Sequence, residues 1–253
     1  MDPLSATPSE VIGTWTVHRV DETGSTNDDL VAAARAGAPG GTALVTRFQS
    51  TGHGRLDRKW DAPKGANLLV SLLFRPVPEN PHLLTHAMAL AARSAAANVA
   101  RVIADLKWPN DLLVDGRKLA GLLATAGPLV GDRPEFVVVG LGLNVNWAPD
   151  DAASLKSAGD GNEIEVDAVL RSLLAALDRI LESSDERIDD LYRRNLSTLR
   201  REVRIELPGG EIVEGRALDV ERDGRLVVLD RCGVTRRLAV GDVVHVRTTN
   251  FEA

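Results

Sequence analysis

Two stretches of the sequence join residues that can do chemistry to backbone that lets a ligand come close. The first is Gln49-Ser50-Thr51-Gly52-His53-Gly54-Arg55-Leu56-Asp57-Arg58-Lys59-Trp60. Its glycines allow close backbone approach and can aim N–H groups at an anion. Arg55, Arg58 and Lys59 supply positive charge, and Trp60 supplies a face for stacking. The second is Lys107-Trp108-Pro109-Asn110-Asp111, followed by Arg117-Lys118-Leu119-Ala120-Gly121. Asp115-Gly116 lies between two apolar runs there, the strongest short-range hairpin signal. The returning strand therefore carries Lys118 past Asp111 and brings an ammonium and a carboxylate together. Lysine is scarce: Lys59, Lys64, Lys107, Lys118 and Lys156 are the five among 30 basic residues. Four of them fall between 59 and 118, where a compact ammonium serves better than a planar fork. Taken singly, each stretch has a plainer alternative. The first could be an exposed charged turn; the second could be a core Trp108, a turn at Asn110-Asp111 and a solvent-facing Lys118.

The elements that must position these residues follow from patterning. A strand is predicted at Thr14 to Val20. Ser25-Thr26-Asn27-Asp28-Asp29 offers helix-capping oxygens ahead of Leu30 to Ala36, closed by Gly37 and Pro39. Thr42 to Phe48 and Asn67 to Phe74 read as strands flanking the polar loop 49–66. His82 to Ala104 reads as a long buried helix, with His82 and His86 on an exposed edge. Leu112 to Val114 and Arg117 to Ala124 form the hairpin, and Phe136 to Val145 a buried strand containing Gly140 and Gly142. A loop at 149–162 precedes helices at Val166 to Glu182 and Glu186 to Leu199. From Arg201 the pattern changes to short strands between Gly-bearing turns, the signature of a small five-stranded barrel. The expected organisation is a mixed α+β domain over 1–200 and a β domain over 201–253.

Composition narrows the classes of function. With 253 residues and 44 % hydrophobic content, the chain can bury a sizeable core. A net charge of −6 and a pI near 5.4 speak against binding nucleic acid through overall charge. No apolar run approaches the roughly 20 residues of a membrane helix, and the start lacks a secretory pattern. Cys232, alone, can form neither an internal disulfide nor a cysteine metal cluster. These features point to a cytoplasmic protein that binds neither DNA nor membrane.

The order and spacing of five motifs make the chain resemble the biotin–protein ligases over about 14–147. The motifs are Ser25-Thr26-Asn27, the 49–60 loop, 107–111, 117–121 and Gly140-Leu141-Gly142-Leu143-Asn144. The resemblance implies a catalytic domain with a class II synthetase-like mixed sheet and packed helices, and a C-terminal SH3-like β-barrel. It also implies a reaction: biotin and ATP, with Mg²⁺, give biotinyl-5′-AMP, and biotin then passes to a lysine of a biotin carboxyl carrier domain of an acyl-CoA carboxylase. The residues can be set against that chemistry. Joining a carboxylate to an α-phosphate brings two anions together, and a fixed cation must offset their repulsion. Lys118 occupies the family's catalytic-lysine position, with Arg55 beside it and Asp111 as base for the incoming amine. Ser25, Thr26, Asn27 and Gln49 stand at biotin-contacting positions, and His53, Gly54 and Arg55 in the loop that closes over biotin. Arg55, Arg58, Trp60, Lys107, Asn110 and Asn144 would meet the nucleotide; metal ligands are not indicated. The loop departs from the family's Gly-Arg-Gly-Arg-x-Gly-Arg at two places. His53 replaces an arginine, exchanging a permanent cation for an imidazole and weakening one phosphate contact, and Asp57 replaces a glycine.

Two other readings are open. A lipoate–protein ligase shares the superfamily fold and a lysine, but the Arg-Arg…Ser-Gly-Gly-Gly pattern that it would bring is absent. A ligand-sensing DNA-binding regulator would need a helix-turn-helix, and only 24 residues precede Ser25. The resemblance is therefore to the monofunctional form, acting as a monomer or homodimer.

Overall fold

The computed structural model describes residue 4, residues 7–55, 58–239 and the strand at 242–245. Asp57 and the side chain of His245 lie outside the described residues. The chain begins with the hairpin β1 (Ser9–Ile12) and β2 (Trp15–Val20), turned at Gly13 with φ 61°. Only the second strand is expected from patterning, because the first is a four-residue edge with little apolar alternation. The Ser25 side chain caps α1 (Thr26–Arg35), accepting from the Asp28 N–H. β3 (Thr42–Thr46) then pairs parallel with β2, and β4 (Leu68–Phe74) antiparallel with β3.

The long helix α2 (His82–Ala100) stops four residues before the predicted end. Arg101 turns left-handed at φ 56°, and Val102 and Ala104 are buried around an exposed Ile103, a period-2 pattern leading into the short strand β5 (Asp105–Lys107). β6 (Asp111–Val114) and β7 (Arg117–Ala126) form the expected hairpin, with Asp115 and Gly116 both at positive φ. A two-residue-per-strand hairpin, β8 (Leu129–Val130) and β9 (Arg133–Pro134), leads to β10 (Val137–Leu143). β10 inserts between β4 and β7, completing the eight-stranded order β1-β2-β3-β4-β10-β7-β6-β5.

Within the predicted loop, a capped turn of helix forms as α3 (Leu155–Ala158); it is followed by α4 (Val166–Leu181) and α5 (Asp185–Asn195). α5 ends before the expected Leu199 because residues 196–198 are drawn onto the free edge of β5. Leu196 bridges Leu106 there, and the Ser197 N–H donates to the Leu106 carbonyl at 2.7 Å. From Glu202 the chain builds β11 (Glu202–Glu206), β12 (Ile212–Val220), β13 (Leu226–Asp230), β14 (Thr235–Leu238) and β15 (Asp242–His245). These form one antiparallel sheet in the order β14-β13-β12-β11-β15.

Strand alternation divides the core between the two faces of the large sheet. Val45, Leu72 and Val139 face one side with α2, α4 and α5; Leu44, Leu73 and Val138 face the other with α1. His86 is buried in the first layer, not on an exposed edge. It stacks on Tyr192 with centroids 3.8 Å apart and meets Asp189 Oδ1 at 3.1 Å. No helix among the described residues is long and apolar enough to cross a membrane.

Candidate active site

On the α1 face, the large side chains of the sheet give way to small ones as the strands run toward the C-terminal end of β10. Ser71 of β4 lies opposite Gly140, and Gly121 of β7 lies opposite Gly142. A floor stripped of side chains leaves room for a ligand, and a cavity of about 610 Å³ opens over it. The space above Gly142 is taken by Trp60, whose indole atoms would stand 2.4–2.8 Å from an added Cβ.

One end of the cavity is polar and uncharged. Ser25, Thr26 and Asn27 are buried at the start of α1. Thr26 donates through its N–H and hydroxyl to Gln49 Oε1, at 2.8 and 3.0 Å, and its hydroxyl meets Ser71 Oγ at 2.9 Å. Asn27 donates to the Leu123 carbonyl at 3.0 Å and accepts from Thr125 at 2.9 Å. Each amide and hydroxyl is thus oriented before any ligand arrives.

The other end is charged and aromatic. Lys118 Nζ stands 2.8 Å from Asp111 Oδ1 as an ion pair, and this buried oxygen has no hydrogen-bond donor among the described residues. It also lies 5.7 Å from the centre of the Trp60 ring. A register shift produces this placement. Asp111 pairs with Gly121 and Leu112 with Ala120, but Leu113 pairs with Lys118, so Leu119 is the extra residue of a bulge. Strict alternation from Gly121 would put Leu119 on the cavity face; the bulge sends Leu119 into the core and turns Lys118 inward. Gly121, lacking a side chain, lets the ammonium reach back to Asp111. Behind Asp111 is the buried Tyr192, whose phenol is pushed up by desolvation and then by the Asp111 charge.

The 49–60 loop is itself a small hairpin. Trp60 N–H donates to the Gly52 carbonyl at 2.9 Å, His53 bridges Lys59, and Gly54 N–H donates to the Arg58 carbonyl at 2.7 Å. From its tip, Arg55 Nη1 reaches Asn110 Oδ1 at 3.4 Å, so the loop spans the cavity to the 107–111 turn. His53 Nδ1 lies 3.2 Å from the Thr51 carbonyl and Nε2 3.7 Å from Asp28. Restoring a permanent cation there by His53→Arg is expected to tighten nucleotide binding at pH 8 about two- to fivefold, the range of an exposed ion pair. Calorimetry with ATP checks this, and unchanged or weaker affinity assigns His53 no part in holding phosphate.

Ser25, Thr26, Asn27, Gln49, His53, Gly54, Arg55, Arg58, Trp60, Asn110, Asp111, Lys118 and Asn144 all line the cavity. Lys107 does not: it sits opposite Asp111 on edge strand β5, one strand outside the lining. Asn144 lines the wall with its amide engaged elsewhere. It donates to the Ala153 carbonyl at 3.0 Å and accepts from Asn67 at 3.2 Å, bracing the backbone that runs beside Lys118. Sequence reasoning passed over Ser71, Asp61, Asp151 and Trp147. Ser71 had a signal, a lone hydroxyl within the apolar run Leu68–Phe74; Trp147, in a loop, had none. Among the described residues, no group of three His, Cys, Asp or Glu side chains is placed to hold a metal ion.

The biotin/lipoate A/B protein ligase family matches residues 21–144, and the biotin protein ligase C terminal domain matches 198–246. The biotin–[acetyl-CoA-carboxylase] ligase of Mycobacterium tuberculosis is 41 % identical over 90 % of this chain and 88 % of its own length. The bifunctional ligase/repressor BirA of Bacillus subtilis is 33 % identical over 68 % of this chain and 55 % of its own length. Among solved structures, the Aquifex aeolicus biotin protein ligase in complex with biotin and ATP superposes with a TM-score of 0.73. It is 26 % identical, covering 92 % of this chain and 99 % of that one. With a relative this similar along nearly its whole length, the chain belongs to the biotin protein ligase family.

Proposed function

We propose that this protein joins biotin to ATP and passes the biotin to a lysine of a biotin carboxyl carrier domain of an acyl-CoA carboxylase. In the first step a biotin carboxylate oxygen bonds to the α-phosphorus, the bond to pyrophosphate breaks, and biotinyl-5′-AMP remains. In the second, the lysine nitrogen bonds to the acyl carbon, AMP leaves, and the amine gives up a proton.

The single observation that carries this reading is the cavity's division into two unlike ends, with Lys118 among the groups of the second. A ureido ring is uncharged and polar, and an oriented set of neutral donors and acceptors suits it: Ser25, Thr26, Asn27 and Gln49. The carboxylate then lies toward Lys118, whose ammonium offsets the repulsion between the two reacting anions. Arg55 and Arg58 meet phosphate oxygens, and Trp60 takes the adenine face. Asp111 holds Lys118 in place during the first step and accepts the amine proton in the second. Asn110 orients Arg55, and Asn144 acts through the backbone beside Lys118. Mg²⁺ would be carried in with the nucleotide as its counter-ion, bound through phosphates and water, because among the described residues no group of three His, Cys, Asp or Glu side chains is placed to cage it. We place the protein in the cytoplasm, where the exposed Cys232 stays reduced.

The test is incubation with ATP, Mg²⁺, biotin and a carrier domain, followed by a streptavidin blot. Labelling that requires every component is expected. Transfer of lipoate in place of biotin, or no labelling of any carrier lysine, overturns the reading.

A further inference from the structure

Behind the cavity wall, the Lys107–Asp111 segment is gripped by parts of the chain that touch no ligand position. Trp108 is 2 % exposed. Its backbone N–H donates to Thr198 Oγ1 at 3.0 Å, and its indole Nε1–H donates to the Gly224 carbonyl at 2.9 Å. Thr198 is completely buried, in the connector that covers the β5 edge. Gly224 belongs to the turn between β12 and β13, in the second sheet. Its φ is 78°, and a Cβ there would stand 2.6 Å from His82 Nδ1, so only glycine allows the turn to sit this close to α2. Asn80 fastens the same turn by donating to the Arg222 carbonyl, and Arg193 of α5 donates to the Val220 carbonyl at 2.9 Å.

Burial alone would be served by a phenylalanine at 108; the indole N–H adds a directional tie to a different sheet. Two and three residues further on stand Asn110, which accepts from Arg55, and Asp111, which pairs with Lys118. We propose that the Gly224 carbonyl and the Thr198 hydroxyl clasp Trp108 and thereby position Asn110 and Asp111, and through them Arg55 and Lys118, for the joining of biotin to ATP. This rests on the function proposed above. The C-terminal sheet then contributes to the first chemical step without touching substrate, and Thr198 and Gly224 are positioning residues. Rates respond steeply to such placement, since a shift of about 1 Å can cost on the order of a hundredfold.

The test uses the full chain carrying Trp108→Phe, which keeps the ring's bulk and deletes the donor. Pyrophosphate release from biotin and ATP is measured, with kcat expressed per biotin site counted by calorimetry. The expected result is a kcat about tenfold lower with KM for biotin unchanged, because the groups around the ureido end lie on α1 and the strand side of the cavity. Thr198→Val should move kcat the same way, and Thr198→Ser, which keeps the hydroxyl, should restore it. A purely structural role lowers the count of biotin sites or the melting temperature but leaves kcat per site alone. Should Trp108→Phe yield no folded protein, the two Thr198 variants decide. A kcat per site within about twofold of wild type, the range of neutral substitutions, in Thr198→Val and in any folded Trp108→Phe overturns the clasp alone. A wild-type chain that releases no pyrophosphate overturns the functional reading and the clasp with it.

Discussion

Lys118→Ala is expected to lower the rate of pyrophosphate release from biotin and ATP by about 10²–10³-fold, the loss typical when one group stabilising developing charge is removed. The fold should be retained. Lys118 is half-exposed at the cavity rim, its main-chain carbonyl already accepts the Ala153 N–H at 2.9 Å, and truncation leaves no core void. The variant strands the Asp111 carboxylate, and this second effect must be separated from the loss of the ammonium. Asp111→Asn in the Lys118→Ala background removes the stranded charge. If repulsion by Asp111 caused the defect, the double variant would recover; if the ammonium itself is needed between the two anions, it stays slow. We expect it to stay slow. Pyrophosphate release near the wild-type rate in Lys118→Ala would falsify the role assigned to this side chain. Arginine at 118 is not expected to substitute, because its planar fork is wider than the space above Gly121, where Nζ already stands 3.1 Å from the position of an added Cβ.

What could be read in advance was whatever is decided within a few residues. The Ser25 cap, the Asp115-Gly116 turn and the switch to short strands after Arg201 are local signals, and each is found where local chemistry puts it. The site residues were legible as a set because their types sit in ordered motifs, yet the way Lys118 faces the cavity was not. It depends on one extra residue, Leu119, in the β6–β7 register, and the period of two cannot report a bulge. Where tertiary contacts overrode local preference, the reading failed in detail. Residues 196–198 left the helical path to cover an edge strand, and residues 101–104 left α2 to feed that strand. His86, an apparent surface histidine from its polar type, is buried because Asp189 and Tyr192 on α5 come from a hundred residues away to receive it. Lys107 differs in another way: the resemblance sets it among residues meeting the nucleotide, and Asn110 and Asp111 of the same motif line the cavity, but Lys107 lies one strand outside the lining.

Gly142→Ala should selectively damage use of the nucleotide. The new Cβ would fall 2.4 Å from Trp60 Cε2 and 2.7 Å from Cζ2, so one partner must move. β10 cannot yield: it is paired along seven residues with β4 on one side and with β7 on the other. Trp60 can, since it sits at the end of the 49–60 loop, tied at its backbone N–H by one bond to Gly52, and its buried Nε1 finds no hydrogen-bond partner among the described residues. Displacement of the ring removes the face proposed to receive adenine and withdraws the aromatic neighbour of Lys118. The cost in stability is expected to fall at or below the roughly 1–3 kcal/mol of an overpacked core, because the loop can relax. KM for ATP should rise by up to about tenfold, the loss of one good aromatic contact of about 1.5 kcal/mol. Biotin affinity should change little, because Thr26 is tied to Gln49, Asn27 to the Leu123 carbonyl and Ser25 to the Asp28 N–H, none of them through Trp60. Calorimetric titration with biotin and steady-state kinetics against ATP separate the two quantities. Equal losses for both ligands would mean that the glycine protects the sheet itself, and an unchanged KM for ATP would mean that the adenine does not lie against Trp60.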